Sequence, residues 1–221
     1  MTVPRQLALA LPHAENFSRE DFLVGPSNEA ALNMVERWPD WADRALVLVG
    51  PEGSGKSHLA AVWAEIAGAR RVSARVLNEI DLPAALATGA LVIEDAAPGL
   101  DERALFHLLN LMRQRDAFIL LTTRTSPATW HVELADLASR LRAIPTVELR
   151  PPDDILLRAV MVKLFADRQL GVDEALIAYL SNRMERSFAA ARAAVEALDR
   201  EALRQKRPVT RALAAELLGE R

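Results

Sequence analysis

Cysteine is absent from this 221-residue chain, which excludes disulfides, thiolate-held zinc and thiol catalysis. No apolar run approaches the ~18 residues that a membrane-spanning helix needs. The first residues offer Arg5 as a basic group but not the apolar core of a secretory signal, so a soluble cytoplasmic protein without membrane contact is the expectation. There is also no surplus of positive charge. Lys and Arg number 27 against 30 Asp and Glu, a net charge of −3, so a bulk electrostatic grip on nucleic acid is not expected. His13, His58, His107 and His131 stand too far apart in sequence to form a pair at metal-ligand spacing. Internal repeats and low-complexity stretches are missing as well. What is present is an ordinary globular composition, 51% hydrophobic and 26% charged. It suffices for one sizeable domain or a larger domain with a small appendage.

The order of elements is informative. Residues 1–19 hold two prolines and no steady period, and read as a loose arm. A helix is expected after Pro26, running toward Trp38 and stopped by Pro39. Strand and helix patterns then alternate. Strands are expected at 45–49, 71–74 (weakly), 90–94, 118–122 and 146–149, with helices at 56–68, 101–115 and 134–141. The strands are short continuous apolar runs, as in sheets buried on both faces. Such alternation implies an α/β fold, a five-stranded, mainly parallel sheet sandwiched by helices. Beyond Pro151-Pro152 only helical patterns remain, at 153–169, 173–182, 187–205 and 210–218. The expected organisation is an arm (1–19), an α/β domain (20–150) and a small helical domain (151–221).

Between the first strand and its helix lies Gly50-Pro51-Glu52-Gly53-Ser54-Gly55-Lys56-Ser57, a full G-x-x-x-x-G-K-[ST] pattern in its proper context. Gly53 and Gly55 allow a tight turn that brings backbone N–H groups onto an anion. The helix that follows directs its positive end at the same place. Lys56 then neutralises β- and γ-phosphates, and the Ser57 hydroxyl is suited to Mg²⁺. An isolated glycine turn is the plainer alternative, and the strand–loop–helix context argues against it.

Glu94 and Asp95 close the third strand. They read either as a solvated acidic pair or as the acids that hold Mg²⁺ in such sites, and the phosphate loop favours the second. Glu94 occupies the place where Asp is usual. Its extra methylene displaces a metal ligand, and Mg²⁺ tolerates little displacement. Nucleotide binding is therefore better supported than turnover. Thr122 and Thr123 end the fourth strand, as γ-phosphate sensors or as strand-end caps. Arg140, just before the fifth strand, suits either a surface ion pair or a contact with a neighbouring subunit's γ-phosphate. Arg192 sits among alanines in the helical domain and reads either as a surface ion pair or as a residue that folds back over the nucleotide from that domain. Gln6-Leu7-Ala8-Leu9-Ala10-Leu11 offers an amide and alternate leucines to a partner's pocket, or folds back on its own core.

In this order the elements resemble the AAA+ domain of the DnaA family, over residues 17–218. The resemblance rests on Phe22-Leu23-Val24-Gly25-Pro26-Ser27-Asn28, the phosphate loop, Leu91-Val92-Ile93-Glu94-Asp95, Ile119-Leu120-Leu121-Thr122-Thr123 with Pro127, Ser139-Arg140, Ala191-Arg192 and Ala197-Leu198. Arg124 departs from it, since an acid is usual there. The resemblance implies ADP or ATP with Mg²⁺ as cofactors. It implies Gly53, Ser54, Gly55, Lys56, Ser57, His58 and Arg192 (sensor II) around the nucleotide, with Ser57 and Glu94 at the metal. Glu94, Asp95 and Thr123 join the catalytic set, and Arg140 is an arginine finger acting in trans.

Two features point to the regulatory-inactivator (Hda) branch of the family. No helix-turn-helix domain follows the helical one, so direct sequence-specific DNA binding is not expected. Gln6, Leu7, Leu9 and Leu11 resemble that branch's sliding-clamp-binding motif. The resemblance implies an adaptor that docks on the β subunit of DNA polymerase III, binds DnaA and promotes hydrolysis of DnaA-bound ATP. Its own hydrolysis would be weak, and a homo-oligomer is allowed. The alternatives are an independent AAA+ ATPase, such as a helicase loader or truncated initiator, and an interaction module whose nucleotide is structural.

Overall fold

A computed structural model describes residues 17–218. Two compact units appear, one of residues 17–151 and one beginning at Pro152. The first holds α1 (Glu29–Glu36), β1 (Ala45–Val49), α2 (Lys56–Ala67), β2 (Arg70–Ser73), α3 (Leu82–Ala85), β3 (Ala90–Ala96), α4 (Glu102–Gln114), β4 (Phe118–Thr123), α5 (Ala135–Ala143) and β5 (Thr146–Glu148). The second holds α6 (Asp154–Asp167), α7 (Glu174–Arg183), α8 (Phe188–Gln205) and α9 (Arg211–Leu218), without a strand among the described residues.

The sheet runs β2-β3-β4-β1-β5 with every neighbouring pair parallel. Alternate side chains of each strand enter different cores. Ala45, Val47, Leu91, Ile93, Ile119 and Leu121 pack with Leu105 and Leu108 of α4 and Leu137 and Leu141 of α5. Leu46, Leu48, Ala90, Val92 and Leu120 pack with Leu32 and Val35 of α1 and Leu59 and Trp63 of α2. Burial on both faces is why the strand segments read as unbroken apolar runs. At the strand starts, Trp41 stacks on Trp63 with ring centroids 5.0 Å apart. Trp38 meets Phe118 edge-on at 5.7 Å.

The helical unit has its own core, centred on Leu157, Phe165, Leu176, Leu180, Val195, Leu198 and Leu213. The N-termini of α6, α7 and α8 are capped by the side chains of Asp153, Asp173 and Ser187.

Three features differ from the sequence expectation. A short α3 forms where none was expected, because the Asp81 carboxylate caps it and Pro83 suits its first turn. A 3₁₀ turn follows each of β2 and β4, over Ala74–Val76 and Pro127–Thr129. β3 continues past its acids to Ala96, through a shift in its register with β4 between Ile93 and Ala96. Local pattern does not reveal such a bulge.

Candidate functional site

Parallel pairing brings the ends of β1, β4 and β3 to one edge of the sheet, where ligands of open α/β sheets bind. Gly50 follows β1 and donates its N–H to the Thr123 carbonyl at 3.1 Å. A Cβ at this position would stand 2.3 Å from the Leu149 carbonyl oxygen beyond β5. The loop is thus wedged between two neighbouring strand ends, and only glycine fits at its root. Gly53 (φ 71°) and Gly55 (φ 96°) then turn the chain through left-handed conformations into α2. No side chain caps that helix.

Lys56 is buried. Its ammonium donates to the carbonyl oxygens of Gly50 (2.8 Å) and Pro51 (2.7 Å), folded back on its own loop. Burial lowers its pKa. The Asp95 carboxylate opposes that shift, the Arg124 guanidinium adds to it, and Glu52 opposes it. These groups therefore share one electrostatic neighbourhood. Ser54 is buried too, and its hydroxyl oxygen has no hydrogen-bond partner. A buried amine bound to carbonyls, a buried hydroxyl without a partner and an uncapped helix start are together suited to an anion. Ser57, on the first turn of α2, is exposed.

The two acids part company. Asp95 has a left-handed backbone (φ 56°), unusual for a non-glycine residue. Its N–H donates to the Thr122 hydroxyl at 3.1 Å. This conformation accompanies the bulge and sets Asp95 among the charges around Lys56. Glu94 instead pairs with Arg71 of β2, 2.7 Å away. Thr123 is buried, donates to the Thr125 carbonyl at 2.9 Å and accepts from the Thr125 N–H.

Further residues tie down the segment before α1 and the first turn of α2. Asn28, almost fully buried, accepts from the Gly25 N–H and donates to the Leu23 carbonyl, each at 2.9 Å. Ser27 accepts from the Arg150 N–H at 3.0 Å, tying segment 22–28 beside the end of β5. His58, on the first turn of α2, meets the Ser18 carbonyl at 3.0 Å. It also packs against Phe17 and Phe22, each with ring centroids at 5.2 Å. It anchors the chain entering the unit onto α2.

Arg140 lies elsewhere. Its guanidinium donates to the Asn110 side-chain oxygen at 2.6 Å and stands 4.5 Å from the centre of the Phe106 ring. A small depression there is lined by Arg140, Asp43, Ala45 and Arg113. Ala45 begins β1, so Arg140 sits by the strand starts, away from the phosphate loop of its own chain. Arg192 is half-buried on α8 in the helical unit. Gln6, Leu7, Leu9 and Leu11 lie outside the described residues.

The site thus gathers Gly53, Ser54, Gly55, Lys56, Asp95 and Thr123. Sequence reasoning did not find the Arg71 clamp on Glu94, because nothing local links residues 23 positions apart. It did not find the Glu52–Arg124 ion pair at 2.6 Å either, although Arg124 already stood out as a departure from the resembled pattern.

No family model and no curated protein sequence matches the chain. Solved structures do resemble it. Domain III of the replication initiation protein DnaA from Thermotoga maritima is 20% identical with a TM-score of 0.78, over 94% of this chain and 98% of that one. AMPPCP-bound DnaA from Aquifex aeolicus is 18% identical with a TM-score of 0.66, over 85% of this chain and 67% of that one. The RuvB Holliday junction branch migration motor of Thermotoga maritima is 16% identical with a TM-score of 0.67, over 91% and 70%. The likeness is one of fold, shared with these DnaA and RuvB structures.

Proposed function

We propose that this chain binds ADP or ATP at the loop from Gly50 to Ser57 and serves as a DnaA-related adaptor of the Hda type. The observation that carries nucleotide binding is the loop itself, the Gly53–Gly55 turn leading into an uncapped α2, with the Lys56 ammonium bound to loop carbonyls. A polyphosphate satisfies all three, and the fold neighbour from Aquifex aeolicus is described as AMPPCP-bound. The residues present also fit Mg²⁺. Ser57 supplies an exposed hydroxyl and Asp95 a carboxylate in the field of Lys56, while Glu94 serves only if it leaves Arg71. Bound there, Mg²⁺ would screen the charge of the β- and γ-phosphates.

The position of Arg140 supports the adaptor role. Arg140 rests by the strand starts, so a phosphate that it contacts belongs to another chain. In this reading Gln6, Leu7, Leu9 and Leu11 dock on the sliding clamp of DNA polymerase III, and Arg140 completes the ATP site of DnaA. The stimulated hydrolysis then restrains re-initiation of chromosomal replication. Glu94 tied to Arg71 fits weak hydrolysis by the chain itself.

The test is DnaA ATPase activity with this protein and DNA-loaded clamp. Arg140→Ala is expected to keep clamp binding and abolish stimulation. Full stimulation by that variant rejects the role. Substantial ATPase activity by the protein alone, in rings or filaments, supports an independent motor instead.

A further inference from the structure

Carboxylates of the helical unit hold several of its arginines. Arg168 faces Glu196 and Asp199, Arg186 faces Asp154, Arg204 faces Glu201 and Arg207 faces Glu216. Arg183 and Arg211 differ. Arg183 ends α7 and Arg211 opens α9, and both are exposed. Among the described residues neither has a carboxylate partner, and neither guanidinium donates a hydrogen bond. Both rest instead on one ring, that of Tyr179, at 4.6 Å and 5.4 Å from its centre. Tyr179 stands one turn before Arg183 on α7. Burial of Leu176 and Leu180 with Leu213 packs α7 against α9 and brings Arg211 to the same ring. Lys206 ends α8 in a left-handed turn (φ 54°), exposed and likewise without an acid among the described residues.

We infer that Arg183 and Arg211, fixed on Tyr179, clamp backbone phosphates of duplex nucleic acid, with Lys206 adding to the contact. This binding is separate from the nucleotide reading above and uses the helical unit alone.

The chemistry of the ring decides the ligand. An aromatic face fixes a cation without cancelling its charge or satisfying its N–H donors. Two forked donors that keep their charge match phosphate oxygens. Their distances from one centre keep the guanidiniums within about 10 Å of each other. That suits neighbouring phosphates of one strand, which advance by about 3.4 Å of helix axis each. A ring already occupied by guanidiniums offers no platform for an unpaired base, so single strands are not favoured. An anionic membrane calls for clusters of about four to eight basic residues, and Glu185 and Glu216 keep this positive region small. Contacts to phosphate carry no base identity. A local grip of this kind is compatible with the net charge of −3.

Fluorescence anisotropy of a short labelled DNA duplex, titrated with the full chain from low salt upward, tests this. Weak binding is expected, with a slope of log affinity on log salt between about −2 and −3, the value for two or three phosphates. Replacing both arginines (Arg183→Gln with Arg211→Gln) weakens duplex binding about tenfold at low salt and flattens the slope by about 2. Lysine at both positions keeps the charge without the fork, and the loss is about threefold. Tyr179→Leu releases the arginines and costs about threefold with the slope unchanged. Both arginines are exposed, so unchanged thermal melts and unchanged ADP affinity are expected in the glutamine variant. Absence of duplex binding at low salt overturns the inference, as does a glutamine variant that binds like the parent. Tighter binding of the single strand, or preference for vesicles of anionic phospholipid, overturns it as well. Loss of ADP binding by the parent protein bears on the phosphate loop and leaves this contact standing.

Discussion

Two helices cover opposite faces of the same sheet and begin in opposite ways. α4 starts at Asp101, whose carboxylate accepts the Ala104 N–H at 2.9 Å, with Glu102 adding negative charge to the first turn. Its N-terminal donors and dipole are served by its own sequence. α2 starts at a left-handed Gly55, has no acid in its first turn and opens on a lysine. Every device that stabilises the start of α4 is missing from α2, and the charge present is of the unfavourable sign. Such a helix start supports the proposed anion site.

The contrast breaks most sharply at Lys56. Lys56→Ala is expected to weaken ADP and ATP by about 100-fold in calorimetric titration, the scale of a buried charge facing phosphate. Removing a buried amine with a lowered pKa also relieves a desolvation cost, so urea unfolding without nucleotide is expected to show no loss of stability. Asp101→Ala does the reverse. It is expected to lower stability by about 1 kcal/mol through the lost cap, with nucleotide affinity unchanged. A Lys56→Ala protein that keeps its affinity, or an Asp101→Ala protein that loses it, removes the distinction between the two helices.

The smallest expected effect is on pH dependence. The folded, unliganded protein holds the Lys56 proton less tightly than the unfolded chain does. As pH rises through the window between the lowered and the ordinary lysine value, the unfolded state binds more protons, so unliganded stability gains. A polyphosphate favours the protonated amine, so nucleotide affinity falls across that same window. Titrations at stepped alkaline pH are expected to show the decline starting earlier than an ordinary lysine allows. A flat profile shows that Lys56 does not face the phosphates.

Much of this was legible in the residues. The apolar run 45–49, the glycine pattern and Lys56 are contiguous, so strand, loop and helix read together, and alternation then implied a parallel sheet. Asp101 declared its helix start for the same local reason. The partition of the acids was not legible. It depends on a bulge that turns Asp95 to φ 56° and on Arg71 arriving from a neighbouring strand to hold Glu94. The Glu52–Arg124 pair likewise joins residues 72 positions apart. Contacts of that kind are set by strand order, which no local pattern encodes.

Strand order also distributes the four tryptophans unequally. Trp38, Trp41 and Trp63 cluster around Phe118 at the strand starts. Trp130 instead donates its indole N–H to the Thr125 hydroxyl at 3.0 Å, one residue beyond Arg124. The molecule thus carries two separate optical channels. Emission from the triad is expected to report unfolding. Quenching or a spectral shift at Trp130 follows events around Arg124, so a protein with only that indole retained becomes its own fluorescent titration reporter.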